Sequence, residues 1–233
     1  EVTDAYIRFS PASTNFKIKV GQFKTHNSLD EETSSRFIST IERAAFTDAF
    51  SLNRRVGVSV GTSGANYTFN AGAFTTNLEE DGGTEQGYAL AARGTYNPVM
   101  TDETLVHLGA SWRYREKGDT SGELRYRQRP YTHVAPSRIV NTGRFAKSDN
   151  FLGVEAAVIQ NQFWAAGEYA LLAAKGNDTN PDADLNGFYG EVGVFFGGKK
   201  TYKGGKFNRP KVDNPLGEGG YGAISLVARY DSL

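Results

Sequence analysis

The chain has 233 residues, with 26 basic and 26 acidic side chains and no cysteine. That balance gives no reason to expect nucleic-acid binding, and it excludes disulfides and thiol catalysis. No run of about eighteen apolar residues is present, so no transmembrane helix is expected, while the low mean hydropathy fits both a soluble protein and a transmembrane β-barrel, in which only alternate residues face lipid.

In chain order, Phe16-Lys17-Ile18-Lys19-Val20 sets Phe, Ile and Val on one face and both lysines on the other, the period-two pattern of a two-faced strand. The stretch from Lys24 to Arg55 then breaks the alternation. At roughly thirty residues it is far longer than a hairpin loop of about two to five, and such loops tend to be functional or disordered. Its Phe, Ile and Leu content argues against disorder and predicts a packed loop carrying charge into an enclosed space.

Alternation then resumes. Val56, Val58 and Val60 share a face, as do Tyr88, Leu90 and Ala92, then Val106, Leu108, Ala110, Trp112 and Tyr114. Leu152, Val154, Ala156 and Val158 follow, then Phe188, Val192, Val194 and Phe196, and last Ile224, Leu226, Ala228 and Tyr230. Many of these strands run to about ten to fourteen residues, near the nine to eleven that cross a bilayer at a tilt. Their other face is mostly Gly, Ser, Ala, Lys, Arg and Glu, suited to a wet interior, and Trp112, Tyr114, Tyr169 and Tyr230 fit an interfacial girdle. A large soluble antiparallel barrel or sandwich with one solvated face is the alternative. Residues 62–65 and 160–162 read as tight turns, 78–86, 116–123 and 177–186 as long acidic Gly-rich loops, 97–104 as a mid-length link and 197–220 as a very long connection. About ten or eleven strands are expected, consistent with a section of a larger barrel.

In Leu124-Arg125-Tyr126-Arg127-Gln128-Arg129-Pro130 the three arginines share one face of an extended chain, about 7 Å apart. They form either a solvated edge strand or a ladder of forked donors that passes an anion stepwise, which Arg113, Arg115, Arg138 and Arg144 could extend. Lys199, Lys200, Lys203, Lys206, Arg209 and Lys211 lie among glycines with no acid before Asp213. Such a run is either simply solvated or, at a pore mouth, raises the local anion concentration. His26, His107 and His133 lack metal-ligand spacing, and Gly197-Gly198-Lys199-Lys200 lacks the phosphate-loop frame. Glu155, Glu168 and Glu191 suit charge partners for arginines better than acid and base catalysis, so neither an enzyme nor any metal or cofactor is expected.

Val20-Gly21-Gln22-Phe23-Lys24, Ser28-Leu29, Thr33-Ser34-Ser35, Glu42-Arg43 and Arg54-Arg55-Val56-Gly57 together resemble the phosphate- and polyphosphate-selective porins of the Gram-negative outer membrane. The likeness continues through residues 124–130, 139–143, 152–156 and 167–169 to Phe207-Asn208-Arg209-Pro210-Lys211 and Ala228-Arg229-Tyr230, and so covers nearly the whole chain in order. It implies an all-β protein, a transmembrane antiparallel barrel of about sixteen strands, usually trimeric, embedded among outer-membrane lipid and lipopolysaccharide. The chain would be a single porin domain over 1–233, with an inward-folded constriction loop at 25–53. Ser34, Ser35 and Arg43, with Arg54 and Arg55, then resemble the anion-binding constriction. Arg125, Arg127 and Arg129 resemble the ladder, and Lys17, Lys19, Lys199, Lys200, Lys203, Lys206 and Lys211 a basic collecting cluster. The phosphate-selective pattern carries a lysine two residues before Thr33, where this chain has Glu31; a carboxylate there would repel an anion by about 1 kcal/mol at 4 Å in water. The expected function is passive diffusion of small solutes, with a preference for phosphate or other small anions. The alternative is an envelope scaffold that holds a partner protein or surface glycan through long loops such as 78–86.

Overall fold

The computed structural model describes residues 2–75, 87–118, 123–132 and 134–233. The expected loop at 78–86, His133 and residues 119–122 of the 116–123 connection lie outside the described residues.

Strands β1 (Ala5–Phe9), β2 (Lys17–Lys24), β3 (Arg54–Ser63), β4 (Tyr67–Phe74), β5 (Tyr88–Met100) and β6 (Thr104–Glu116) pair antiparallel in sequence order. Next to β6 comes β8 (Val140–Gln160), then β9 (Phe163–Gly176), β10 (Ala183–Phe196) and β13 (Ile224–Ser232). The short β7 (Leu124–Gln128) pairs with the overhanging start of β8. β11 (Gly198–Tyr202) and β12 (Phe207–Val212) form a separate two-stranded hairpin. Among the described residues β1 and β13 each have one neighbour, so the sheet is an open wall of eleven strands.

Alternation sorts this wall into two faces, and their burial is the reverse of a soluble sandwich. Val154 is 50% exposed and Leu152 49%, whereas Glu155 is 6% exposed. Arg93, Arg113, Glu168 and Glu191 are buried on the polar face, while Val58, Leu90, Leu108, Trp112, Leu171 and Leu226 are exposed on the other. A soluble sandwich would cover its apolar face; a barrel in lipid leaves it open and keeps charge inside. On the outer face the rings of Tyr169, Phe188 and Tyr230 lie in sequence across β9, β10 and β13, with centroids 6.4 and 5.8 Å apart.

The inner face is covered by the chain itself. β2 ends at Lys24 and β3 begins at Arg54, and the residues between them carry helices α1 (Leu29–Glu32) and α2 (Ala45–Ala49). Leu29, Phe46, Phe50 and Leu52 from this segment are buried in one core with Tyr126, Phe151, Leu172 and Tyr189. Each such side chain stabilises the packing by about 1.5–3 kcal/mol relative to exposure.

Three connections differ from expectation. The loop expected at 177–186 is shorter, because residues 183–186 already pair with β9 as the start of β10. Residues 97–104 are not a mid-length link: β5 runs on to Met100 through a register shift between Tyr96 and Val99. Pro98 sits inside that irregularity, where its missing N–H costs no ladder bond. The connection over 197–220 is not open chain, because it folds into the β11–β12 hairpin. Its turn uses Gly204 and Gly205 at φ 60° and 84°, the left-handed pair that a tight two-residue hairpin turn requires.

Candidate functional site

Segment 25–53 is held on the inner face by carboxylates of strands remote from it in sequence. Glu168 of β9 accepts hydrogen bonds from Ser28 Oγ (3.1 Å), Leu29 N (3.0 Å), Asp30 N (2.7 Å) and Tyr189 OH (3.0 Å). Asp231 of β13 accepts from Ala45 N at 3.1 Å. The first N–H groups of a helix have no partner within the helix, so a wall carboxyl group at each start satisfies donors that would otherwise be buried without an acceptor. Asp30 Oδ2 in turn accepts from Ala44 N and from Arg229 Nη2, both at 2.8 Å.

Arg43 braces the segment from within, donating from Nε to Asp30 O at 2.9 Å and from Nη2 to Thr33 O at 2.8 Å. Its guanidinium also stands 3.3 Å from Glu31, which lies 3.3 Å from Lys24 on the other side. Burial pushes the Glu31 carboxyl up from its ordinary value, against the pull of Lys24 and Arg43. The carboxylate found where a lysine was expected is thus buried between two cations, and its field is largely compensated before it reaches solvent. Ser34 O accepts from Phe37 N at 2.8 Å, and Ser35 is exposed beside it.

A cavity of 730 Å³ opens between this segment and β7. Arg43, Arg54 and Arg55 line one side, and Arg125, Arg127 and Arg129 the other. In all, ten cationic side chains face it against the four carboxylates Glu31, Glu42, Asp48 and Glu116, so its potential is positive. Several of these cations are already partnered: Arg54 donates to Asp4 at 2.8 Å, Arg55 to Thr75 O at 3.0 Å, Arg129 to Ala135 O at 3.1 Å and Arg138 to Asp48 at 3.3 Å. Ser34 and Ser35 do not line this cavity, nor do the seven lysines of the expected cluster.

Those lysines are divided. Lys17 and Lys19 stand on β2, where Lys17 donates to Ser63 at 3.3 Å and Lys19 lies 5.1 and 4.9 Å from the Tyr6 and Phe23 ring centroids. Lys199, Lys200, Lys203, Lys206 and Lys211 belong to the hairpin region, which reaches across the inner face to segment 25–53. Lys206 bonds Glu32 at 3.1 Å, and Lys199 donates to Asp102 O at 2.8 Å. Lys200 is buried against Ser39 and the Trp164 and Phe207 rings; burial pushes its amine below the ordinary lysine value. Lys203 and Lys211 are exposed.

The hairpin tip docks on the wall through Arg93, which donates to Gly205 O at 2.7 Å while paired to Glu155. His107 bridges Glu155 at 2.9 Å and Tyr202 OH at 2.7 Å. Glu155 is therefore the expected partner of a lumenal arginine. Among the described residues no three His, Cys, Asp or Glu side chains are grouped to hold a metal.

Sequence reasoning missed Asp149, and with it the fate of Arg113 and Arg115. Asp149 is fully buried and accepts from Arg113 Nη2 (3.2 Å), Arg115 Nε (3.0 Å) and Tyr126 OH (2.9 Å). Arg115 and Asp149 are direct cross-strand partners of β6 and β8, a register that no single strand reveals.

A wall of long antiparallel strands, apolar outside and charged inside, with its own loop folded against the charged face, is the architecture of a porin-type β-barrel. All of it, residues 1–233, matches the family described as Phosphate-selective porin O and P, and the chain belongs to that family. It is 36% identical over 228 residues to an uncharacterized protein of Caulobacter vibrioides, covering 93% of this chain and 46% of that protein. It is 24% identical over 258 residues to Porin O of Pseudomonas aeruginosa, covering 100% of this chain and 57% of that protein. The chain thus spans about half the length of the curated relatives it matches.

Proposed function

We propose that the protein is a Gram-negative outer-membrane channel, not an enzyme, through which small anions, phosphate among them, diffuse passively. The observation that carries this reading is the cavity beside segment 25–53, where ten cations face four carboxylates on the inner side of a wall whose outer side is apolar. Forked guanidinium donors suit phosphate-like oxygens and stay charged at any physiological pH. Arg43, Arg54 and Arg55 meet the anion from the segment side, with Ser34 and Ser35 offering hydroxyls further along it. Arg125, Arg127 and Arg129 hand it along the opposite side, and Lys203, Lys211 and Lys17 raise anion concentration at the other mouth. The exposed apolar belt supports a place among outer-membrane lipid and lipopolysaccharide, with a homotrimer as the assembly. Compensation of Glu31 by Lys24 and Arg43 supports passage of divalent as well as monovalent anions. The test is the full-length protein in planar bilayers: a reversal potential in a KCl gradient that favours chloride, and phosphate block of the chloride current, both weakened by Arg127→Ala. Cation selectivity, or no conductance, would refute the reading.

A further inference from the structure

We propose that Tyr126 and Asp149 are positioning residues of the anion path: together they orient the arginine row, and Asp149 also withholds Arg113 from it. This inference rests on the anion-channel reading above and adds to it residues whose own side chains need never touch the anion.

β7 is five residues long and pairs only with β8, and its register shifts on both sides of Arg125. So short an edge ribbon does not hold a defined rotation by backbone pairing alone. What fixes its rotation is Tyr126. The ring is 1% exposed and lies edge-on to Phe50 of segment 25–53 at 6.3 Å and to Phe145 of β8 at 5.9 Å. The hydroxyl reaches through that apolar shell to Asp149, and the Tyr126 backbone N–H donates to Thr142 Oγ1 at 3.1 Å. Because side chains alternate along a strand, turning Tyr126 toward the wall turns Arg125 and Arg127 away from it, and both line the cavity. A rotation of β7 that released Tyr126 would carry both guanidinium groups off their line together.

Asp149 does this while holding Arg113 and Arg115, one on each carboxylate oxygen. Arg113 also donates to Ser51 O at 3.0 Å, so the same cluster ties the wall, β7 and the constriction segment at one point. With no solvent-exposed side-chain surface on Arg113, its charge is spent on structure and not offered to the lumen.

The experiment compares Tyr126→Phe, Arg127→Ala, and Arg125→Ala with Arg127→Ala in the presence and absence of Tyr126→Phe, in the full-length protein in bilayers, reading phosphate block of the chloride current. Tyr126→Phe keeps the ring packing and removes only the bond to a charged acceptor. The expected result is block about tenfold weaker than wild type, the scale of one such bond, with single-channel conductance in concentrated KCl unchanged. In a background already carrying Arg125→Ala and Arg127→Ala, Tyr126→Phe should add nothing, since a positioning residue acts only through the groups it positions. A general loosening of the loop would act in either background. If Arg127→Ala weakens block and Tyr126→Phe does not, or if Tyr126→Phe weakens block equally in the background that lacks both arginines, positioning is refuted while the anion path stands. If Arg127→Ala itself leaves block unchanged, the arginine row is not on the path and both readings fall.

Discussion

Two segments enter the inner face from opposite ends of the strands, and they are held by different physics. Segment 25–53 leaves at the end of β2 and is fastened by fully buried apolar side chains, among them Phe46, Phe50, Leu29 and Leu52, and by carboxylates seated on helix N-termini. The β11–β12 hairpin enters from the end of β10 and is fastened by one buried ring, Phe207, and by polar contacts: Arg93 to Gly205 O, His107 to Tyr202 and Lys206 to Glu32. Non-directional burial makes the first a fixed part of the wall. The second has a single side chain, Phe207, in that buried core and relies more on directional polar bonds.

The apolar fastening of segment 25–53 is most vulnerable at Phe50. Phe50→Ala removes a side chain packed on Tyr126 and Phe151 and should cost about 3–5 kcal/mol. Amide exchange over residues 25–53 of the detergent-solubilised protein should accelerate accordingly, with the hairpin less affected. Next comes Glu168→Gln, which keeps shape but puts an amide NH2 where one of two accepting oxygens stood, leaving a buried donor without its acceptor. A loss of about 1–3 kcal/mol is expected, read as faster exchange at Leu29 and Asp30 in particular.

The smallest effect belongs to Lys206→Met. Lys206 is 41% exposed, so its bond to Glu32 is solvent-screened and worth within about 1 kcal/mol. This variant should loosen the hairpin while leaving exchange of α1 unchanged. Acidification probes the same junction with two opposite signs. Burial works to raise the Glu32 carboxyl, but Lys206 and His26 overcome it and hold the group well below 4.5. Its contribution is therefore present above pH 4.5 and lost as pH falls below that value through the folded one. Glu31 is raised above 4.5, so its ionisation opposes folding, and acidification relieves that cost before pH 4.5 is reached. Thermal unfolding against pH should show Glu31→Gln flattening the limb above 4.5 and Glu32→Gln the limb below it.

The same contrast explains how much was legible in the sequence. Long period-two runs such as residues 104–116 and 152–158 state their two faces directly, because every second side chain meets the same medium. Segment 25–53 showed itself through length and lost alternation. The hairpin did not, since β11 and β12 are five and six residues long and carry two basic residues each, a pattern equally suited to solvated chain. Glu155 could be expected to meet an arginine, but Asp149 could not be singled out. Its role depends on the register of β6 against β8 and on the inward fold of β7, and both are set by packing between segments far apart in the chain.

Whether the charged inner face selects for anions is decided by the reversal potential of the full-length protein in a planar bilayer separating two KCl concentrations. A potential of the sign that marks chloride as the more permeant ion, moved toward zero by Arg125→Ala together with Arg127→Ala, is the result predicted. A potential of the opposite sign in the unaltered protein would contradict the account.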